Sequence, residues 1–201
     1  MLTVAIASEN DEMDAEVYRV LLARMLSVEV QRWSTQISFH GGGFRRVRKL
    51  SEAFLETAAS NGVNRALVAV DNDGGSKKCP EHEHSHTPEQ HGAKEDDCRV
   101  CWLSQAVPPS WKGTSHRACI VVPIQTLETW LLQLRGDDFG GRPPETRYHR
   151  SQLKKQFYGH PLPPNARCTQ LALEQLARPD ALDRLRERKS FQHFAAQLQD
   201  W

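Results

Sequence analysis

The chain has 201 residues, 39% hydrophobic and 25% charged, with a formal net charge of +1. That length is enough for one sizeable core with an insertion or appendage, and the composition is that of an ordinary, slightly polar globular protein. The near-zero charge excludes a global basic field, so any nucleic-acid surface has to be local. No apolar run is long enough to span a bilayer. The start Met1-Leu-Thr-Val has no basic residue, and Glu9 interrupts the apolar run early, so we expect no signal peptide and a cytoplasmic protein.

In chain order, Thr3 to Ser8 reads as a first buried strand. A helix over 14–27 follows, with Val17, Leu21, Leu22 and Met25 on one face and Asp11 or Asp14 available to cap its start. Val28 to Trp33 alternates apolar and polar residues as an exposed or edge strand does. After the turn His40-Gly-Gly-Gly43 a second helix runs from about Phe44 to Ser60 and stops at Asn61-Gly62. Leu67 to Val70 is a short apolar run ahead of turn residues and reads as a third strand. This strand-helix-strand-helix-strand order predicts an α/β fold with parallel strands. Gly74 to Lys112 is rich in His, Glu, Lys and Pro with little apolar periodicity, and reads as an insertion. A fourth strand, Ala118 to Val122, leads to a helix over Thr126 to Leu134 and a loop from Gly136 to Pro144. Three helical stretches, split by Pro161-Leu-Pro-Pro164 and Pro179, fill Thr146 to Trp201.

The chemistry concentrates where the third strand ends, at Asp71-Asn-Asp73-Gly-Gly. With a side-chain period of two, Asp71 and Asp73 point the same way. Two adjacent carboxylates repel unless a cation lies between them, and hard ions such as Mg²⁺ take oxygen ligands. Glu9 stands at the end of the first strand, and parallel sheets bind ligands outside their C-terminal strand ends. Glu9, Asp71 and Asp73 are therefore candidate ligands of Mg²⁺ or Mn²⁺, in a set suited to phosphoryl transfer. Asp11, Asp14 and Glu128 are possible further ligands or a base. The competing explanations are ordinary: Asn-Asp-Gly-Gly is good turn chemistry. Glu128 could likewise be a solvated residue favoured in a first helical turn by the helix dipole.

The arrangement resembles the TOPRIM fold, in which an acid follows strand one and D-x-D follows strand three. Topoisomerase-primase domains, OLD-type nucleases and several small prokaryotic families share it. Over roughly residues 3–135, Val4-Ala-Ile-Ala-Ser-Glu9 looks like the first motif and Asp14 like the acid after it. Val68-Ala-Val-Asp71-Asn-Asp73 looks like the second motif, and Pro123-Ile-Gln-Thr-Leu-Glu128-Thr-Trp-Leu-Leu132 like the E-x-W-L-L helix of the small prokaryotic members. Asn10 stands where those families usually have glycine, and the Glu9–Asp14 spacing is about one residue longer. The resemblance implies that Glu9, Asp71 and Asp73 bind the metal and that Glu128 contributes to the same site. It also implies nuclease activity, a part in prokaryotic anti-phage defence and an ATPase or other defence-system subunit as partner.

Five cysteines, three of them within 79–101, argue against a disulfide framework and for metal binding in a reducing compartment. Cys79-Pro-Glu-His82 and Cys98-Arg-Val-Cys101 each present two ligands from a tight turn, the pattern of a structural Zn²⁺ site. His84, His86 and His91 compete with His82 for the fourth position. A polar insertion without its own core needs such a staple; a flexible His-rich loop is the alternative. Cys119 reads as an ordinary buried residue, and Cys168 has no evident partner. Arg45, Arg46 and Arg48, after the glycine turn at a helix start, could hold a nucleic-acid backbone, or could be a solvated helix face. Arg184, Arg186, Arg188 and Lys189 interleave with Asp180, Asp183 and Glu187 as paired helix surface does. Phe191, Phe194 and Leu198 recur at helical spacing and suit a core or an interface.

The expected architecture is a TOPRIM-like, mostly parallel sheet flanked by helices (1–73 and 113–145), a zinc-binding insertion (74–112) and a helical C-terminal extension (146–201). The expected function is Mg²⁺-dependent cleavage of DNA or RNA. One alternative is a non-catalytic subunit that binds a partner protein or nucleic acid through the insertion and the C-terminal helices. Another is action on a different phosphate, such as a nucleotide or tRNA end.

Overall fold

The computed structural model describes residues 1–72, 99–137, 144–199 and 201. Strands β1 (Leu2–Ala7), β2 (Val30–Arg32), β3 (Arg65–Ala69) and β4 (Arg117–Val121) form one parallel sheet in the order β2-β1-β3-β4. In the central pair, Ala5, Ile6 and Ala7 register with Ala66, Leu67 and Val68. The short alternating segment is indeed an edge strand, and it is only three residues long.

Strand alternation divides the interior in two. Val4, Ile6, Leu67, Ala69, Cys119 and Val121 face helix α1 (Met13–Leu26), while Ala5, Ala7, Ala66, Val68, Val70 and Ile120 face helix α2 (Gly43–Ser60). Because α1 and α2 cover opposite faces, the chain reverses its winding between β1 and β3. Ligand crevices form at such a switch point, beyond the C-terminal strand ends.

The helix boundaries expose local causes. Neither Asp11 nor Asp14 caps α1. The N-cap residue is Glu12, without a side-chain cap, and the turn before it is held by Asn10, whose Oδ1 accepts from the backbone N–H groups of Glu12 and Met13, both at 3.2 Å. Asp11 instead ties down the segment after β2, accepting from the Phe39 N–H at 2.7 Å and from the Ser38 hydroxyl at 3.1 Å. Helix α2 stops at the expected Asn61-Gly62. Gly62 takes φ +76°, which only glycine adopts without strain, and the Asn61 amide returns to the Thr57 carbonyl at 2.8 Å.

Residues 99–112, assigned from sequence to a polar insertion, do not stand apart. Helix α3 (Arg99–Ser104) and a 3₁₀ turn at Pro109–Trp111 bury Val100, Trp102, Leu103, Val107 and Trp111 on the α2 side of the sheet. Their apolar residues are too few and too short-ranged to show a period, so their burial is not visible in the pattern.

The other layer is built by helices α4 (Glu128–Arg135), α5 (Pro144–Arg147), α6 (Arg150–Tyr158), α7 (Asn165–Leu176), α8 (Ala181–Arg186) and α9 (Lys189–Gln197). They share one core with α1. Trp130 is its centre, 1% exposed, edge-on to Tyr18 at 6.5 Å and to Phe191 at 5.2 Å, with its indole N–H on Ser190 Oγ at 2.9 Å. Phe191, Phe194 and Leu198 are thus core residues. The charges of α8 pair as the interleaving predicted, Arg184 with Asp180 at 2.6 Å and Arg186 with Asp183 at 2.7 Å. Edge strand β4 is closed by a side chain: Gln197 accepts from the Ile120 N–H at 2.9 Å and donates to the Ile120 carbonyl at 2.8 Å. Among the described residues no helix is long and apolar enough to cross a membrane.

Candidate functional site

The switch point between β1 and β3 collects acids from separate elements. Glu9 follows β1 and Asp71 follows β3, and the two are joined directly: the Asp71 N–H donates to Glu9 Oε1 at 2.9 Å. Asp71 Oδ1 accepts from the Leu127 N–H at 3.0 Å, which fixes the start of α4 and brings in Glu128, its first residue. Asp14 enters from the first turn of α1. Glu128 is 1% exposed, and its Oε2 has no hydrogen-bond partner among the described residues. The solvated-helix explanation of Glu128 is therefore wrong, and an orphaned oxygen on a buried acid is costly.

The electrostatics follow from crowding like charges in a poorly hydrated place. Burial first, then the charges of Glu128 and Glu9, push the Asp14 carboxyl up to about 7. Burial, then Glu128, Glu9 and Asp14, push Asp71 well above the carboxylate range. Tyr18 and Tyr158 border the cluster, and burial together with these acids raises both phenols. Lys154 of α6 reaches in, its Nζ 3.9 Å from Glu128 Oε1. The Glu128 charge raises its ammonium above the usual lysine range against the opposing effect of burial. Nothing in the local sequence marks Lys154. It is one cation among several in a basic segment, and only the packing of α6 near α4 selects it.

The glycine turn reaches the same place. Gly41 and Gly43 take φ +75° and +56°, and a Cβ at Gly43 would stand 3.7 Å from Glu9 Oε2. The start of α2 thus faces a carboxylate of the chain itself, which its N-terminal dipole favours. The three arginines beyond it divide. Arg45 is exposed and within 5.7 Å of the Phe44 ring; Arg46 is exposed and donates to the Ser38 carbonyl at 3.0 Å. Arg48 is half-buried, donating to the Trp102 carbonyl at 3.2 Å and lying over the Trp102 ring at 4.8 Å. It links α2 to α3. Arg99 was not foreseen: it is 2% exposed, stacks 3.6 Å over Phe44 and donates to the Asp71 carbonyl.

Glu9, Asp14, Asp71 and Glu128 are thus brought to one crevice, while Asp11 serves the loop beside it. Asp73, Cys79, His82 and Cys98 lie outside the described residues; so do His84, His86 and His91. Cys101 is buried on α3, in the core beneath α2. Among the described residues no three acids, histidines or cysteines are spaced to hold a metal ion as placed. The donor chemistry of the crevice nevertheless fits a hard cation: Glu9, Asp14, Asp71 and Glu128 offer oxygen ligands, and among the described residues the buried Glu128 Oε2 has no hydrogen bond. Comparison with protein-family models, with curated proteins and with solved structures finds no match for this chain.

Proposed function

We propose that the chain is a divalent-metal-dependent phosphodiesterase acting on nucleic acid, with a TOPRIM-like core. The observation that carries the reading is the convergence of Glu9, Asp14, Asp71 and Glu128 at the switch point of a parallel sheet, held by the 2.9 Å and 3.0 Å contacts of Asp71. Glu9, Asp71 and Glu128 would hold Mg²⁺ or Mn²⁺, with Asp73 as a further ligand. A bound ion of this kind polarises a phosphate oxygen and lowers the pKa of a water. The chain's own groups complete the chemistry. Asp14, beside these ligands and partly buried, would be the group to carry a proton to or from the reacting oxygen. Arg45 and Arg46, exposed at the start of α2, would position phosphates of the strand. Arg99 holds the backbone of Asp71, so the ligand-bearing turn is braced from the α2 side.

The partners in this reading are DNA or RNA, with an ATPase or other defence-system subunit, as the TOPRIM-like motifs imply. A structural Zn²⁺ on Cys79, His82, Cys98 and Cys101 would staple the segment that leaves the rim of the crevice. The test is cleavage of single- and double-stranded DNA and RNA with Mg²⁺ or Mn²⁺. Wild type should cut at least one substrate. Asp71→Ala and Glu128→Gln should lose roughly a hundredfold or more, the scale of removing one electrostatic stabiliser from a reaction site. No cleavage by wild type, alone or with its partner, would leave the non-catalytic subunit as the better reading.

A further inference from the structure

We infer that Lys154 is a tethered counter-ion of the carboxylate cluster, and that a divalent cation entering the crevice has to displace it. The inference rests on the proposed cation site and adds its regulation: the C-terminal helix α6 sets the affinity for the ion.

Three observations lead here. Glu128 is buried, its Oε2 has no hydrogen-bond partner among the described residues, and its other oxygen meets Lys154 Nζ at 3.9 Å. That distance is a charge contact and not a hydrogen bond, so the ammonium neutralises the acid without locking onto it. Next, the Lys154 side chain is 50% exposed. Its four-carbon stem can stay on α6 while the ammonium swings to water, an exit open to lysine and closed to a buried guanidinium. Last, Glu128 is joined to the other acids through Asp71, whose Oδ1 holds the start of α4 and whose N–H holds Glu9. Lys154 is one monovalent charge, and a divalent ion would neutralise more of the cluster through direct oxygen contacts. A cation on Glu128 Oε2 would sit beside the ammonium at Oε1, and repulsion between the two positive charges favours swinging the flexible lysine out to water. The observed affinity for the ion is therefore its intrinsic affinity reduced by the work of moving Lys154 away.

The experiment uses the full chain and Mn²⁺ alone. Wild type, Lys154→Met and Lys154→Arg are titrated, with free Mn²⁺ followed by electron paramagnetic resonance, and are melted in EDTA and in saturating Mn²⁺. Lys154→Met should bind Mn²⁺ roughly tenfold tighter than wild type, within the usual range of coupling between two ligands. It should melt below wild type in EDTA, and the gap should close in Mn²⁺. Lys154→Arg, which keeps the charge, should stay within about twofold of wild type or bind more weakly. Equal or weaker binding by folded Lys154→Met overturns the inference and leaves the cation site standing; so does equal tightening in Lys154→Arg. No Mn²⁺ binding by any of the three overturns both. Should Lys154→Met not fold, wild type still decides. Mn²⁺ should speed modification of Lys154 by an amine-reactive reagent, read by mass spectrometry, and an unchanged rate overturns the displacement.

Discussion

Replacing Asp14 by Asn should stabilise the metal-free protein at high pH and hardly at low pH. In the unfolded chain an aspartate titrates near 3.8; in the fold, burial and the neighbouring acids move Asp14 to about 7. Between these values the folded chain holds a proton that the unfolded chain has released. Stability therefore falls as pH rises through this window, and the whole penalty is present above pH 7. At about 1.4 kcal/mol per pH unit, the separation corresponds to about 4 kcal/mol. Asparagine cannot ionise and escapes the penalty, but weakens the backbone hydrogen bond that Asn10 makes to the Asp14 side chain, which costs about 1 kcal/mol. The net gain at pH 8 is about 3 kcal/mol, or roughly 6–12 °C in Tm for a chain of this size. Thermal unfolding of wild type and Asp14→Asn in EDTA, from pH 4.5 to 8.5, measures it. The difference should be small at pH 4.5 and grow to a plateau above pH 7. A pH-independent difference, or an Asp14→Asn variant less stable than wild type at pH 8, would refute the reasoning.

Three further outcomes test the frame around the site. Gln197→Ala removes both bonds that close the edge of β4 at Ile120, and should cost roughly 2 kcal/mol, seen as a lower urea midpoint with an unchanged slope. Trp130→Ala empties the centre of the core shared by α1, α4 and α9, and should cost about 3–5 kcal/mol in the same measurement. Burial pushes the Cys119 thiol up to about 12, so iodoacetamide at pH 8 should leave it unmodified in the native protein and label it in urea. Rapid native labelling of Cys119 would show that the α9 side of the sheet opens.

Much of the frame was legible because it depends on local periods. Leu67–Val70 and Ala118–Val122 are apolar runs of strand length, and the structure places strands there within one or two residues. The stop at Asn61-Gly62 held for the same kind of reason: the signal and its effect are a few atoms apart. The turn that leads into α1 was not legible, because four polar residues within five positions, Asn10, Asp11, Glu12 and Asp14, could each hold it. Residues 99–111 were missed because a six-residue helix and one 3₁₀ turn are too short to show a period.

The carboxylates divide along the same line. By itself the sequence determined that Glu9 and Asp71 stand at the ends of parallel strands, because a short apolar run followed by a polar turn settles where a strand stops. It also pointed to oxygen chemistry there, since an acid follows each of the two strands. Only the tertiary structure decided that Asp14 joins the cluster and Asp11 does not, that Glu128 is buried, and that Lys154 and Arg99 approach from segments far along the chain. The physical reason is distance. A strand end is written in a handful of neighbouring residues, whereas the charge that an acid feels is set by whichever helices pack against it.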